Sequence, residues 1–251
     1  MRTPQVHLPP ILYEDDALIA FDKPSGLLSA PDRWDKALPC LTGLVHALLC
    51  GEYENAHRLD RDASGVVLFA KTAGALRAVR EQFDSQQVRK TYLALVWPAP
   101  RQARGEVDAT LAPDPRRPGR MRVTRDGKPS STSYEVMDAF RGGWALVQAQ
   151  PYTGRTHQVR VHLAHAGSPV VCDTFYGDGR GFFLSQIKRG YKPGRDPERP
   201  LMGRLALHAL ALVLRHPFTG AELRMESPLP HDFDITLKYL RRFARQPDVV
   251  V

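Results

Sequence analysis

Residues 56–83, AHRLDRDASGVVLFAKTAGALRAVREQF, change pattern twice within one short stretch. The opening is polar, with Arg58, Asp60, Arg61 and Asp62 crowded together. GVVLFAK follows, an apolar run too short for a typical helix and bounded by Gly65 and Thr72, which reads as a buried strand. From Thr72 the period shifts: Leu76, Val79 and Phe83 recur at three and four with Arg77, Arg80 and Glu81 between them. That spacing predicts an amphipathic helix capped by Thr72. A carboxylate at the edge of a buried strand can be held rigidly, and a nearby guanidinium favours its charged form, so Asp60 is a candidate chemical group. By themselves, the same four residues describe a surface ion-pair cluster equally well.

Working outward, ILYEDDALIAFDKPSGLLS reads as a hairpin followed by an exit turn at Lys23, Pro24, Ser25 and Gly26. Residues 37–50 suggest a short buried helix with Pro39 near its first turn and Gly51 just past its end. Downstream, residues 91–97 return to strand character, apolar on both faces. Residues 131–140 and 144–152 are strands separated by the tight turn Arg141, Gly142, Gly143, so antiparallel pairing is expected. TGRTHQVRVHLAHAG predicts a helix with Thr153 as N-cap and Gly167 as stop. LALHALALVL and ELRMESP flank the turn HPFTGA, and DITLKYLRRF closes the chain as a helix. Hairpins with a few helices and no regular βαβ alternation point to an α+β class. The expected core is a mixed, largely antiparallel central sheet with flanking helices, in one domain over residues 1–251 with room for two lobes.

The chain of 251 residues, 43% hydrophobic and 25% charged, has the composition of an ordered globular protein. No apolar run reaches the roughly 18 to 20 residues that span a bilayer, and the start MRTPQVHLPP lacks an apolar leader core, so the cytoplasm is expected. Cys40, Cys50 and Cys172 are too few and too far apart for a disulfide framework or zinc knuckles. The formal net charge of +8 favours anionic partners. Residues 112–130 and 188–204 each hold six basic and two acidic residues, so these two Pro- and Gly-rich segments, expected to be loops, account for all of it. They would either be solvated or grip a phosphate backbone.

GxxxxGK[ST], GxGxxG opening a helix, HExxH and GxSxG are all missing, which argues against nucleotide hydrolysis and Rossmann-type redox chemistry. His157, His162 and His165 share one predicted helix but lack the i, i+4 spacing of a helical zinc pair.

HRLDRDASGVVLFAKT, the helix after it, RKTYLALV, and TGRTHQVRVHLAHAGSPVVCDTFYG resemble, in order, the motifs of the RluA family of RNA pseudouridine synthases. YEDDALIAFDKPSGLL and LALHALALVLRHPFTG resemble that family's flanking motifs, so the likeness covers roughly residues 11–230. Three positions depart from the family pattern: Ala63 where Thr is usual, Asp22 where Asn often stands, and Cys172 where Gly precedes Asp173.

The resemblance implies a pseudouridine synthase fold with a catalytic cleft, and an isomerisation in which uracil leaves ribose at N1, turns, and rejoins through C5, with no cofactor or metal. Asp60 matches the catalytic aspartate, Tyr92 the tyrosine that stacks on the base, and Arg155 the arginine that pairs with the carboxylate, with Arg160 as the fallback. A stacked uridine must be extruded first, and Arg58 resembles the residue that fills the vacated space. Arg61, Arg116, Arg117, Arg120, Lys188, Arg189 and Lys192 are expected to contact the RNA backbone, in rRNA or tRNA, by a monomer. About ten residues precede the first motif, so an S4-type RNA-binding module is expected to be absent. Two other readings compete with it: an RNA-binding or RNA-folding protein without turnover, and a glycoside hydrolase pairing Asp60 with Asp62.

Overall fold

The computed structural model of the protein describes residues 7–32 and 35–246, so most of the opening stretch read above as lacking a leader core lies outside it. The chain forms two compact units, one running to Lys90 and taking in Ala209–Pro228, the other comprising Thr91–His208 and the chain from Leu229 on.

In the first unit, β1 (Ile11–Glu14) and β2 (Leu18–Lys23) form the expected hairpin, and α1 spans Leu41–Leu48. The α1 helix is shorter than its sequence signals suggest. Cys40 is the N-cap, its Sγ accepting from Gly43 N at 3.3 Å, and Pro39 stands just before it. β3 (Glu54–Asn55) leads to β4 (Ser64–Ala70), and α2 covers Ala73–Asp84 with Thr72 capping Ala75 N. β11 (Leu207–Arg215, in this unit from Ala209) and β12 (Glu222–Glu226) return to the same sheet. The strand order is β1-β2-β4-β11, with β3 also on β4 and β12 on β11. Every residue of β4 is buried, which is why its sequence lacks alternation. One face packs Leu18, Ala20, Val66, Leu68, Leu212 and Leu214 against Ala75 and Val79 of α2. On the other, Phe21 meets Phe69 edge-on at 5.6 Å. Gly65, at φ +118°, lies so close to β11 that a Cβ would sit 2.2 Å from the Ala209 carbonyl oxygen.

In the second unit, β5 (Arg89–Val96, here from Thr91), β10 (Trp144–Pro151), β9 (Ser131–Phe140) and β6 (Arg104–Asp108) lie side by side in that order, antiparallel throughout. The turn at Arg141–Gly143 joins β9 to β10 as expected, with positive φ at Gly142 and Gly143. Residues 112–130 are not simply a loop: β7 (Leu111–Pro113) and β8 (Met121–Val123) pair as a separate antiparallel ribbon. α3 spans Gln158–His165 and α4 His231–Phe243. Thr153 is not the N-cap of α3; the chain from Thr153 to Arg155 is irregular, a turn closed by Gln158 N on the Arg155 carbonyl leads into the helix, and the cap position is His157 in a left-handed conformation, φ 55°. Gly167, at φ +84°, follows the helix end as expected. Residues 188–204 contain no strand or helix. Among the described residues no helix is long and apolar enough to cross a membrane.

The two flanking motifs of the first unit meet one another. Asp15 Oδ1 accepts from Ala17 N at 2.8 Å and Leu18 N at 2.7 Å, while Oδ2 receives the Tyr13 hydroxyl and His216 Nε2, the latter at 2.9 Å. His216 Nδ1 accepts from Phe218 N and Thr219 N, so its proton is on Nε2 and points at Asp15. Burial alone would raise the Asp15 pKa, but the bonds from Tyr13, Leu18, Ala17 and His216 hold it below the usual carboxylate value. A depressed folded-state pKa gives stability that is full above the unfolded value and is lost as pH falls through the folded one. Asp15→Ala is therefore expected to lower the unfolding free energy by about 2 kcal/mol at pH 7, and by progressively less below about pH 4, in urea titrations. A difference that stays constant down to about pH 2 would contradict this assignment.

Candidate active site

Asp60 opens a turn immediately before β4, its carbonyl accepting from Ala63 N at 3.2 Å, and its side chain is half-buried. The backbone around it is fixed from the exit turn of the first hairpin. Lys23, fully buried, donates through Nζ to the carbonyls of Pro24 at 2.9 Å, Leu27 at 2.7 Å and Arg61 at 3.1 Å. Gly26, in the left-handed region at φ +88°, donates its N–H to the same Arg61 carbonyl at 2.9 Å. Ser25 Oγ bonds the Asp62 carbonyl at 2.6 Å, and Arg61 Nε reaches back to the Gly26 carbonyl at 3.3 Å. Buried Ser29 exchanges two bonds of 2.9 Å with the N–H and carbonyl of Leu59. Leu59, Arg61 and Asp62, the residues on either side of Asp60, thus have their main chain or side chain tied to residues 23–29. Sequence reasoning read KPSG only as a turn. Its role as a clamp depends on which carbonyls a buried ammonium reaches.

His57 Nε2 accepts from Leu68 N at 3.2 Å, extending the β3–β4 ladder by a side chain. Burial, with the Lys90 ammonium nearby, pushes the His57 pKa down to about 3, so the ring stays a neutral acceptor; burial brings Lys90 to about 8. Arg58 is exposed and makes no hydrogen bond or ion pair among the described residues, so it is not a structural ion pair. Arg61 and Asp62 are also exposed.

In the second unit Tyr92, partly buried, stands on β5 opposite Ala149 of β10. The TGRTHQ turn is organised by Gln158, a buried residue to which the sequence reading gave no role. Its Oε1 accepts from Thr153 Oγ1 at 2.7 Å and Arg155 N at 3.0 Å, and its Nε2 donates to the Ser131 carbonyl at 2.9 Å and Thr132 Oγ1 at 3.0 Å. Arg155 is exposed, with Nε on the Pro129 carbonyl at 3.4 Å.

Arg160 differs. It is 4% exposed and grips Asp173, itself 0% exposed, through two parallel bonds of 2.8 Å. Burial alone would raise the Asp173 pKa, but Arg160 and the N–H groups of Phe175 and Tyr176 hold it below the usual range. The Arg160 guanidinium also lies 5.3 Å and 5.2 Å from the Phe175 and Tyr176 ring centres. Tyr176 OH in turn meets His157 Nδ1 at 2.8 Å and accepts Met121 N of β8 at 2.8 Å. Cys172, just before Asp173, sits at φ +61°, which accounts for glycine being the usual residue there; burial raises its thiol to about 11.

The basic residues divide into two groups. Arg120 donates to the Thr174 carbonyl at 3.1 Å and covers the Phe175 ring at 5.1 Å, and Lys188 lies 5.5 Å from the Phe243 ring centre. Arg116, Arg117, Arg189 and Lys192 are exposed and make no side-chain bond among the described residues.

Lys23→Met removes one buried ammonium and leaves three carbonyls short of a donor, so the unfolding free energy should fall by about 3 kcal/mol. Amide exchange at Gly26, Leu59 and Ala63 should accelerate well beyond what global unfolding explains. Unchanged local protection would show that the clamp does not hold the Asp60 turn.

A family profile described as RNA pseudouridylate synthase matches residues 17–165. The dual-specificity RNA pseudouridine synthase RluA of Escherichia coli is 36% identical over 220 residues, 87% of this chain and 92% of that one. Ribosomal large subunit pseudouridine synthase D of Xanthomonas campestris is 37% identical over 239 residues, 92% of this chain and 69% of its relative. Among solved structures, human RNA pseudouridylate synthase domain containing 4 superposes with a TM-score of 0.71 at 29% identity, covering 95% of this chain and 94% of the other. Human RNA pseudouridylate synthase domain containing 1, at 24% identity and TM-score 0.67 over 99% of this chain and 100% of its own, shares the fold. The chain belongs to the RluA family of RNA pseudouridine synthases.

Proposed function

We propose that this RNA pseudouridine synthase acts on uridines in structured rRNA or tRNA, with Asp60 as its catalytic carboxylate. The observation that carries the assignment is the position of Asp60, in a turn between Leu59, which Ser29 bonds, and Arg61, whose carbonyl Lys23 and Gly26 both bond. In the reaction the N1–C1′ bond of uridine breaks, a C5–C1′ bond forms, the C5 proton leaves and N1 gains one. Asp60 assists departure of the base at C1′, as nucleophile or as electrostatic partner. Tyr92 supplies a ring against which the displaced base stacks.

For the cationic partner of the carboxylate we favour Arg160 over Arg155. A guanidinium held by two bonds inside the protein keeps its direction and acts through a low dielectric, whereas the exposed Arg155 side chain is screened by water. Arg58, exposed beside Asp60 and unpaired among the described residues, suits insertion into the stack that an everted nucleotide leaves. Arg61, Arg116, Arg117, Arg189 and Lys192 are left to meet phosphates. Arg120 and Lys188 share their charge with aromatic rings.

Purified protein incubated with rRNA or tRNA transcripts, read by pseudouridine-specific chemistry or mass spectrometry, tests the assignment. Asp60→Asn is expected to reduce product formation by roughly 1,000-fold or more. Arg160→Lys should cost on the order of 100-fold and Arg155→Lys less than about 10-fold, with folding checked by circular dichroism. Activity surviving in Asp60→Asn would remove that residue from the chemistry, and the reverse order of the two arginines would restore Arg155.

A further inference from the structure

Helix α4 ends on Phe243, and the second unit gathers positive charge around that ring. The Arg242 guanidinium lies 5.1 Å from its centre and Lys188 Nζ 5.5 Å. Tyr239, one turn earlier, stacks on it at 5.8 Å with the planes 11° apart. From the β9–β10 turn Arg141 donates to the Phe243 carbonyl at 2.7 Å, and its own N–H bonds the Ala244 carbonyl at 2.7 Å. Arg245 follows in a bridge with Phe140.

A helix C-terminus attracts cations because its free carbonyls carry about half a negative charge. Arg141 already meets that demand, and Arg241 is paired with Asp138 at 2.9 Å. Lys188, Arg242 and Arg245 have no carboxylate partner among the described residues. Like charges collected so closely raise the local potential, and a polyanion relieves it. Partly exposed aromatic rings interleaved with cations suit nucleic acid, whose sugars and bases offer apolar faces beside each phosphate.

We propose that the end of α4, joined by Lys188 from residues 188–204, is an RNA-backbone contact surface, with Lys188, Arg242 and Arg245 meeting phosphates around the Tyr239–Phe243 pair. The inference rests on the reading that the substrate is RNA. It gives residues 188–204 a purpose: they carry one cation onto a helix that supplies the others.

The test is fluorescence anisotropy of the full chain with a labelled RNA duplex of about 20 base pairs, between about 50 and 300 mM KCl. For the double variant Lys188→Gln, Arg242→Gln, the slope of log K against log salt should become shallower by about 1.5, and the affinity at 100 mM should fall about 10-fold. The control Arg89→Gln, Arg224→Gln removes the same charge from arginines paired with Glu222 and Glu226 on the first unit and should leave the slope unchanged. An unaltered slope in the first variant, or an equal loss in both, would overturn the proposal. Pseudouridine formation by the unsubstituted protein is scored separately: no product, together with a slope change confined to the first variant, would sink the catalytic reading and leave this surface standing.

Discussion

The Lys23 ammonium is the interaction on which the first unit's chemistry rests. An ammonium out of water is costly unless its protons are all used, and here three carbonyls receive them. Two of those carbonyls belong to the exit turn of the first hairpin and the third to Arg61, next to Asp60. The charge therefore converts a sheet-edge turn into a brace for a loop almost forty residues away, a distance in sequence that no local propensity could close. Ser29 and Gly26 add bonds of the same kind, so the carboxylate-bearing turn is held through the main chain of its neighbours.

The second unit uses a different device for the same end. Gln158 satisfies both ends of its amide at once, and the Arg160–Asp173 pair does so with charges, in each case inside the protein. Around Asp173 the main chain turns back on itself, and Tyr176 carries the order outward to Met121 and so to the arginine-rich ribbon. The ribbon's position is thus tied to a buried ion pair, while Arg116 and Arg117 at its tip stay in solvent.

Much of the fold was legible because its signals are local. The buried run of β4, the Thr72 cap of α2, the glycine turn between β9 and β10 and the hairpin at HPFTG each depend on residues within a few positions of one another. What escaped depends on distant partners or on competition. Thr153 has the chemistry of an N-cap, but its hydroxyl is taken by Gln158, and the helix begins later from a left-handed His157. The β7–β8 ribbon hid among prolines and arginines because three-residue strands carry too few positions for a period to emerge. Charge alone could not separate Arg120 and Lys188, which lie against rings, from neighbours that face water. Motif order pointed to Asp60 and Tyr92; burial is what distinguishes Arg160 from Arg155, and burial is a property of the folded chain.

The close approach of Gly65 to Ala209 has a consequence for synthesis. β4, which leaves the Asp60 turn, has β2 on one side and takes β11 on the other, yet β11 is made well over a hundred residues later. A nascent chain must therefore carry an apolar strand whose second edge is covered only near Ala70, by β3, while the residues between Lys90 and β11 are translated. The first unit closes only once β11 and β12 have been made and the second only once α4 follows them, so each half of the enzyme waits on a segment synthesised after most of the other.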